Sequence, residues 1–95
     1  MKYQKLNTYF GSDGTYVISI PFVVQDGRDA TIGLMSKGTY DFGVATRKET
    51  IQITSGEAEI NDEHIQARQK AEVFVDEVIC IRVLTQTMSY LCIYD

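Results

Sequence analysis

Charged side chains set among apolar, strand-like stretches are the first places to look for chemistry, because an ion leaves water only when something pairs with it. Arg82 is one such residue. It lies in the run VFVDEVICIRVLT, in phase with Phe74, Val78, Cys80 and Leu84, so period-two alternation can turn it inward with them. An inward guanidinium there needs an anion, either Glu49 or a phosphate; the other reading is a solvent-facing arginine. Arg28 follows Gly27 in QDGRD, where a turn arginine is usually exposed. Glu49 stands at the mouth of a strand beside Lys48, either as a solvated loop carboxylate or as an acceptor for ligand hydroxyls. Tyr40 and Phe42 share a phase, and aromatics at that spacing either fill a core or wall a planar ligand. Tyr90 adds a hydroxyl that is satisfied within the core or reaches a ligand. Thr46, Arg47 and Lys48 form a small basic cluster, read as a solvated turn. His64 lies between acidic and polar neighbours and is expected to be exposed and not catalytic.

The elements that must position these residues are strands. In YVISIPFVV, Tyr16, Ile18, Ile20, Phe22 and Val24 alternate with Val17, Ser19, Pro21 and Val23. Pro21 has no N–H to donate, which places this strand at an edge or at a bulge. Asp26-Gly27 predicts a hairpin, and Lys37-Gly38 predicts a second turn before TYDFGV. Residues 45–49 form a polar connection. Ile51 and Ile53 then alternate with Thr50, Gln52 and Thr54 until Ser55-Gly56 turns the chain. NDEHIQARQKAEV has good helix formers but no helical stripe, and is read as two short strands around Gln69-Lys70. Asp76-Glu77 marks a tight turn or a bulge in the next strand. In MSYLCIYD, Tyr90, Cys92 and Tyr94 share one face and Leu91 and Ile93 the other. Many short strands with turns between them predict a small sandwich or barrel.

Ninety-five residues suffice for one modest core, and the whole length is read as one domain, 1–95. The net charge of -4 argues against nucleic acid as a partner, since phosphate backbones call for a basic surface. A small phosphorylated ligand needs only a local cluster. No run approaches membrane-spanning length, and MKYQKLNTYF lacks the apolar centre of a signal peptide, so a cytoplasmic protein without membrane attachment is expected. Cys80 and Cys92 sit in apolar surroundings and are read as reduced core thiols. They lack zinc spacing, and no metal site is expected. Apolar residues on both faces of several strands call for cover, which a second copy would provide; a homodimer is expected.

An ordered set of short stretches resembles the small cupin-type pyrimidine/purine nucleoside phosphorylases. They are Asn7, Tyr9 and Phe10; Gly27-Arg28 before IGLM; Gly38, Tyr40 and Phe42 in GTYDF; Glu49 ahead of ITSG; and SYLC with Tyr94 at the end. The resemblance implies an all-β fold, a single small cupin (jelly-roll) barrel. It implies an enzyme that transfers the pentose of purine and pyrimidine nucleosides to inorganic phosphate, its co-substrate, with broad base specificity. No cofactor and no metal are implied. It assigns phosphate to Arg28 and places Glu49 on the ribose, so that Glu49 and Arg28 are the catalytic candidates; Arg82, from its place in an apolar strand, is the second phosphate candidate. Tyr40, Phe42 and Tyr90 join Arg28 and Arg82 as substrate-binding candidates. The chain departs from the family pattern at Asp76-Glu77, where a proline-glycine-histidine turn is usual. It also departs at Cys80, in place of an inward histidine; at Lys70, in place of a turn glycine; and at Ile93, in place of a basic residue. These departures fall where a ligand is expected. They support the alternative of a non-catalytic small-molecule-binding cupin that kept the pocket and lost turnover.

Overall fold

A computed structural model of the chain describes residues 6–95, so part of the N-terminal stretch read for a leader lies outside the described residues. Every regular element among them is a strand: β1 (Asn7–Phe10), β2 (Tyr16–Val23), β3 (Asp29–Val44), β4 (Glu49–Ser55), β5 (Glu57–Ile60), β6 (Glu63–Gln66), β7 (Lys70–Val73) and β8 (Val78–Tyr94). The pairings are antiparallel, and the main order is β1-β2-β3-β8-β4-β7, with β5 joining β8 to β6.

The long β3/β8 pair is the spine. Residues Ser89–Tyr94 of β8 pair with β4, whereas Ile81–Val83 of the same strand pair with β5. One strand therefore serves two sheets. The change of sheet falls where the β3/β8 register breaks between Ser36 and Gly38, opposite the residues between Thr87 and Val83. Lys37-Gly38 thus continues one strand instead of making the turn its glycine predicted; the bulged residues, between Val83 and Thr87, lie opposite it on β8. A bulge bends and twists a strand without ending it. The sheets fold over one another as a jelly roll. Met35, Met88, Ile51, Ile53 and Val73 meet Tyr40, Ala58, Ile60, Ile65, Ile81 and Val83 in a single buried cluster.

The other turns follow their chemistry. Gly27 has φ 94°, and its N–H donates to the Val24 carbonyl at 2.9 Å, closing the predicted hairpin. β1 pairs only as far as Ser19, so Pro21 lies beyond the span that β1 covers. The NDEHIQARQKAEV stretch is β6 and β7, as its lack of a stripe predicted. Their turn is at Arg68 (φ 74°), one residue before the expected position. Asp76 (φ 72°) makes a tight turn, fastened to Ala45 through Asp76 N–H to Ala45 O (2.9 Å) and Ala45 N–H to Glu77 O (2.8 Å).

Phasing in the N-terminal half of β8 is opposite to the one expected. Ile79, Ile81 and Val83 are buried, whereas Val78, Cys80 and Arg82 are exposed. Even-numbered apolar residues misled the reading because Phe74, Val75 and Val78 all belong to an exposed turn region. Cys80 is accordingly an exposed thiol, and only Cys92 is the buried one that was expected.

Gly56 (φ 83°) joins β4 to β5, and a Cβ there would lie 2.5 Å from the Thr87 carbonyl oxygen and 3.1 Å from the Met88 Cα. Both are backbone atoms beside the corner, so neither yields cheaply. Gly56→Ala is expected to destabilise the fold by about 2–4 kcal/mol, from backbone strain plus the clash. For a domain of this size that lowers Tm by roughly 10 °C or more. A melting curve within a degree or two of the parent would contradict this account of the corner.

Candidate functional site

The alternation of MSYLCIYD puts Tyr90, Cys92 and Tyr94 on the inner face of β8. β4 brings Ile51 opposite Cys92 and Glu49 opposite Tyr94. These residues line a cavity of about 310 Å³, completed by Met35, Phe42, Val44, Thr46, Ile79 and Ile81. That volume lies at the small end of the range for small-molecule sites, and the lining is mostly apolar with a few polar groups. Gly33 pairs with Tyr90, and a Cβ at Gly33 would fall 2.5 Å from the Tyr90 hydroxyl and 2.6 Å from its ring. The tyrosine lies against bare backbone because position 33 has no side chain.

Glu49 is the one ionisable carboxylate among the lining residues, and its position is unusual for an acid. Burial pushes its carboxyl above the ordinary range. The Cys92 thiol, donating to Oε1 at 3.5 Å, and the positive charge of Arg47 oppose that rise. Burial likewise pushes Tyr90 up to about 12 and Cys92 up to about 12. Both are neutral at physiological pH, and Cys92 is therefore a thiol donor, not a nucleophile. Tyr94 is also raised by burial, and its hydroxyl lies 3.4 Å from Thr31 Oγ1. The wall thus offers one carboxyl and several neutral hydroxyl and thiol groups, a set suited to a hydroxylated ligand.

Outside this cavity lies a groove of about 430 Å³ that shares Thr46, Glu49 and Tyr94 with it and adds Asp29, Thr31 and Arg47. Arg47 stands over the Tyr94 ring, 5.6 Å from its centroid, and bonds Asp29 Oδ2 at 2.9 Å. Of the sequence candidates, Glu49, Phe42 and Tyr90 converge on the cavity. Tyr40 does not. It is buried, and its hydroxyl is held by the Ser36 side chain (2.9 Å) and carbonyl (2.7 Å), so it is core, though its ring stacks on Phe42 at 6.0 Å. Arg28 is a surface residue paired with Asp26 (2.8 Å) and Asp95 (3.1 Å) and lines neither space. Arg82 faces outward and pairs with Glu59, not Glu49. Ile93, in place of the family's basic residue, also lies on the outer face, opposite Ala30 and Thr50.

Arg47, Cys92 and Tyr94 are the residues that sequence reasoning missed. The phase shared with Tyr90 was a usable signal for Cys92 and Tyr94. Arg47 had none, because it lies in a connection where no period applies. His64 is exposed as expected, its Nε2 3.2 Å from Glu57. Among the described residues no group of three or more His, Cys, Asp or Glu side chains could hold a metal ion.

The raised carboxyl of Glu49 has a sign that can be tested. Its folded-state value lies above the ordinary 4.5, so the neutral form favours the fold. That contribution is full at pH below the unfolded value and is lost as pH rises through the folded one. Glu49→Gln, always neutral, is expected to melt a few degrees higher than the parent near neutral pH and to show no such gain near pH 3. A gain of equal size at both pH values would rule out burial of the charge as its origin.

Residues 4–94 match the model of a family described as pyrimidine/purine nucleoside phosphorylase. A pyrimidine/purine nucleoside phosphorylase of Pseudomonas putida is 38% identical over 96 aligned positions, covering 95% of this chain and 96% of the relative. One from Alcanivorax borkumensis is 32% identical over the same shares. Among solved structures, a protein of unknown function from Acinetobacter sp. ADP1 aligns with a TM-score of 0.80 at 24% identity, covering 98% of this chain and 91% of that one. A cupin domain of a transcriptional regulator from Enterobacter cloacae aligns with a TM-score of 0.66 at 15% identity, covering 82% and 94%. At such identities these two likenesses speak to fold, and the fold they share is the cupin jelly roll. With its cavity walled by the last strand and the family match spanning almost the whole sequence, the chain belongs to the pyrimidine/purine nucleoside phosphorylase family.

Proposed function

We propose that this protein catalyses phosphorolysis of purine and pyrimidine nucleosides with little discrimination among bases. The observation that carries the reading is Glu49, a carboxyl set between Tyr94 and Cys92 in a mostly apolar cavity, in a chain of this family. A phosphate oxygen forms a bond to the anomeric carbon as the bond from that carbon to the base nitrogen breaks. The electron pair leaves with the base, which takes up a proton, and pentose 1-phosphate remains. Glu49 accepts hydrogen bonds from ribose hydroxyls and so aligns the anomeric carbon. Phe42, Ile79 and Ile81 give the base an apolar wall that makes no directional demand, which accounts for tolerance of base identity. The Tyr90 phenol, neutral at working pH, offers a donor. Nothing in this scheme calls on a metal or an organic cofactor.

A second reading, a binding cupin without turnover, draws on one observation: Arg28 and Arg82 both lie outside the cavity. We also infer a cytoplasmic setting, with no nucleic-acid or membrane partner. No helix among the described residues is long and apolar enough to cross a membrane.

We infer a homodimer built on the outer face of the larger sheet. There Ile18, Ile20, Ile32 and Leu34 form a band with Leu91 and Ile93 by register. Ile32 is 45% exposed. The outer positions of β4 in this sheet are Thr50, Gln52 and Thr54, and the charges beside them, Lys70 and Glu72, lie on the edge strand β7. The apolar band on β2, β3 and β8 can therefore pack on itself across a two-fold axis with the charged strand at its rim.

Two measurements check these readings. Purified protein incubated with uridine or adenosine is expected to release free base only when phosphate is present. Absence of release at high protein concentration would leave the binding reading. In sizing with light scattering the parent is expected to run at twice the chain mass and Ile32→Asp at the monomer mass. A parent that runs as a monomer overturns the dimer.

A further inference from the structure

We propose that Arg47 is the phosphate-binding residue of this chain and that the groove outside Glu49 is the phosphate subsite. The inference rests on the phosphorolysis reading for the identity of the anion. Arg47 is the only Lys or Arg among the residues lining either the cavity or the groove. The groove also contains Glu49 and Tyr94, which belong to both spaces, so an anion bound there abuts whatever occupies the cavity.

The guanidinium is held for this purpose by the end of β8. Nε donates to the main-chain oxygen of Asp95 at 3.1 Å and Nη2 to that of Tyr94 at 3.4 Å, while the Tyr94 ring supports one face. Nη1 donates to Asp29 Oδ2 at 2.9 Å. A guanidinium carries five N–H bonds, so one on each terminal nitrogen is still free for phosphate oxygens. The Asp29 side chain is 61% exposed, and such surface pairs are weak, so an incoming dianion can displace it at little cost. Glu49, when ionised, repels a dianion, and the positive charge of Arg47, which lies near enough to lower the Glu49 carboxyl, offsets that repulsion. Lys48 is directed elsewhere, toward Glu72, Asp95 and the Phe74 ring. Arg28 is held by two carboxylates on the surface.

The test measures binding and turnover separately. Inorganic phosphate is titrated calorimetrically into the parent, Arg47→Gln, Arg47→Lys and, as a control for lost positive charge, Lys37→Ala, and the phosphate KM of each is measured with uridine. Arg47→Gln is expected to weaken phosphate binding about tenfold or more, the scale of one lost charge-assisted hydrogen bond. Its phosphate KM is expected to rise more than its uridine KM. Arg47→Lys is expected to fall between parent and Arg47→Gln, and Lys37→Ala to match the parent. A parent that binds no phosphate, or an Arg47→Gln that binds it as the parent does, overturns the assignment. If Arg47→Gln releases base with the parent's phosphate KM, Arg47 fails and phosphorolysis stands. If binding depends on Arg47 yet the parent releases no base, the subsite stands and phosphorolysis fails.

Discussion

The structure depends on the pairing of β3 with β8. Both strands are far longer than a single sheet of this molecule needs, and their shared irregularity at Ser36–Gly38 lets one hydrogen-bonded pair belong to two sheets. That arrangement makes two faces from one ribbon and turns them toward each other. It also sets the register of the site, because Tyr90, Cys92 and Tyr94 face inward only while β8 stays paired to β3 on one side and to β4 on the other. A one-residue slip would turn all three outward and bring Leu91 and Ile93 in.

Within that frame the site is a compromise between stability and chemistry. A carboxyl on the wall of an apolar cavity weakens the fold whenever it is ionised, and the arrangement tolerates this through a thiol donor and a nearby cation. The neutral phenols and thiol around Glu49 keep the wall able to donate hydrogen bonds without adding charge. The cation is kept at the rim, where water still screens it.

What could be read in the sequence was what period two governs. The strands β2, β4 and the C-terminal half of β8, the hairpin at Gly27 and the turn at Gly56 all follow from local pattern, and so do the inward places of Tyr90 and Ile51. The resemblance added the fold and singled out Glu49. Failures came where pattern gave no information or gave the wrong phase. Phe74 and Val78 flank a turn, so extending their phase through Cys80 to Arg82 carried an exposed set into an imagined interior. Gly38 read as a turn, whereas its missing side chain makes room for Thr15, whose Cγ2 lies 2.6 Å from where a Cβ would stand. Arg28 carried a motif match but answers to Asp26, two residues before it in the turn, and to Asp95, a contact from the far end of the chain that no spacing reveals. Ile93 was read as a loss within the site, and its outward position removes it from that account.

The bare backbone at Gly33 also bears on how this chain can vary. Tyr90 occupies the volume that a side chain at position 33 would need, so the two positions are not independent. A Cβ at 33 would also fall 2.8 Å from the Ile18 carbonyl oxygen, so a reduced residue at 90 makes room there only if the backbone of β2 shifts as well. The glycine is thus fixed from two sides, and the cavity wall can be reshaped at position 90 alone while position 33 stays bare.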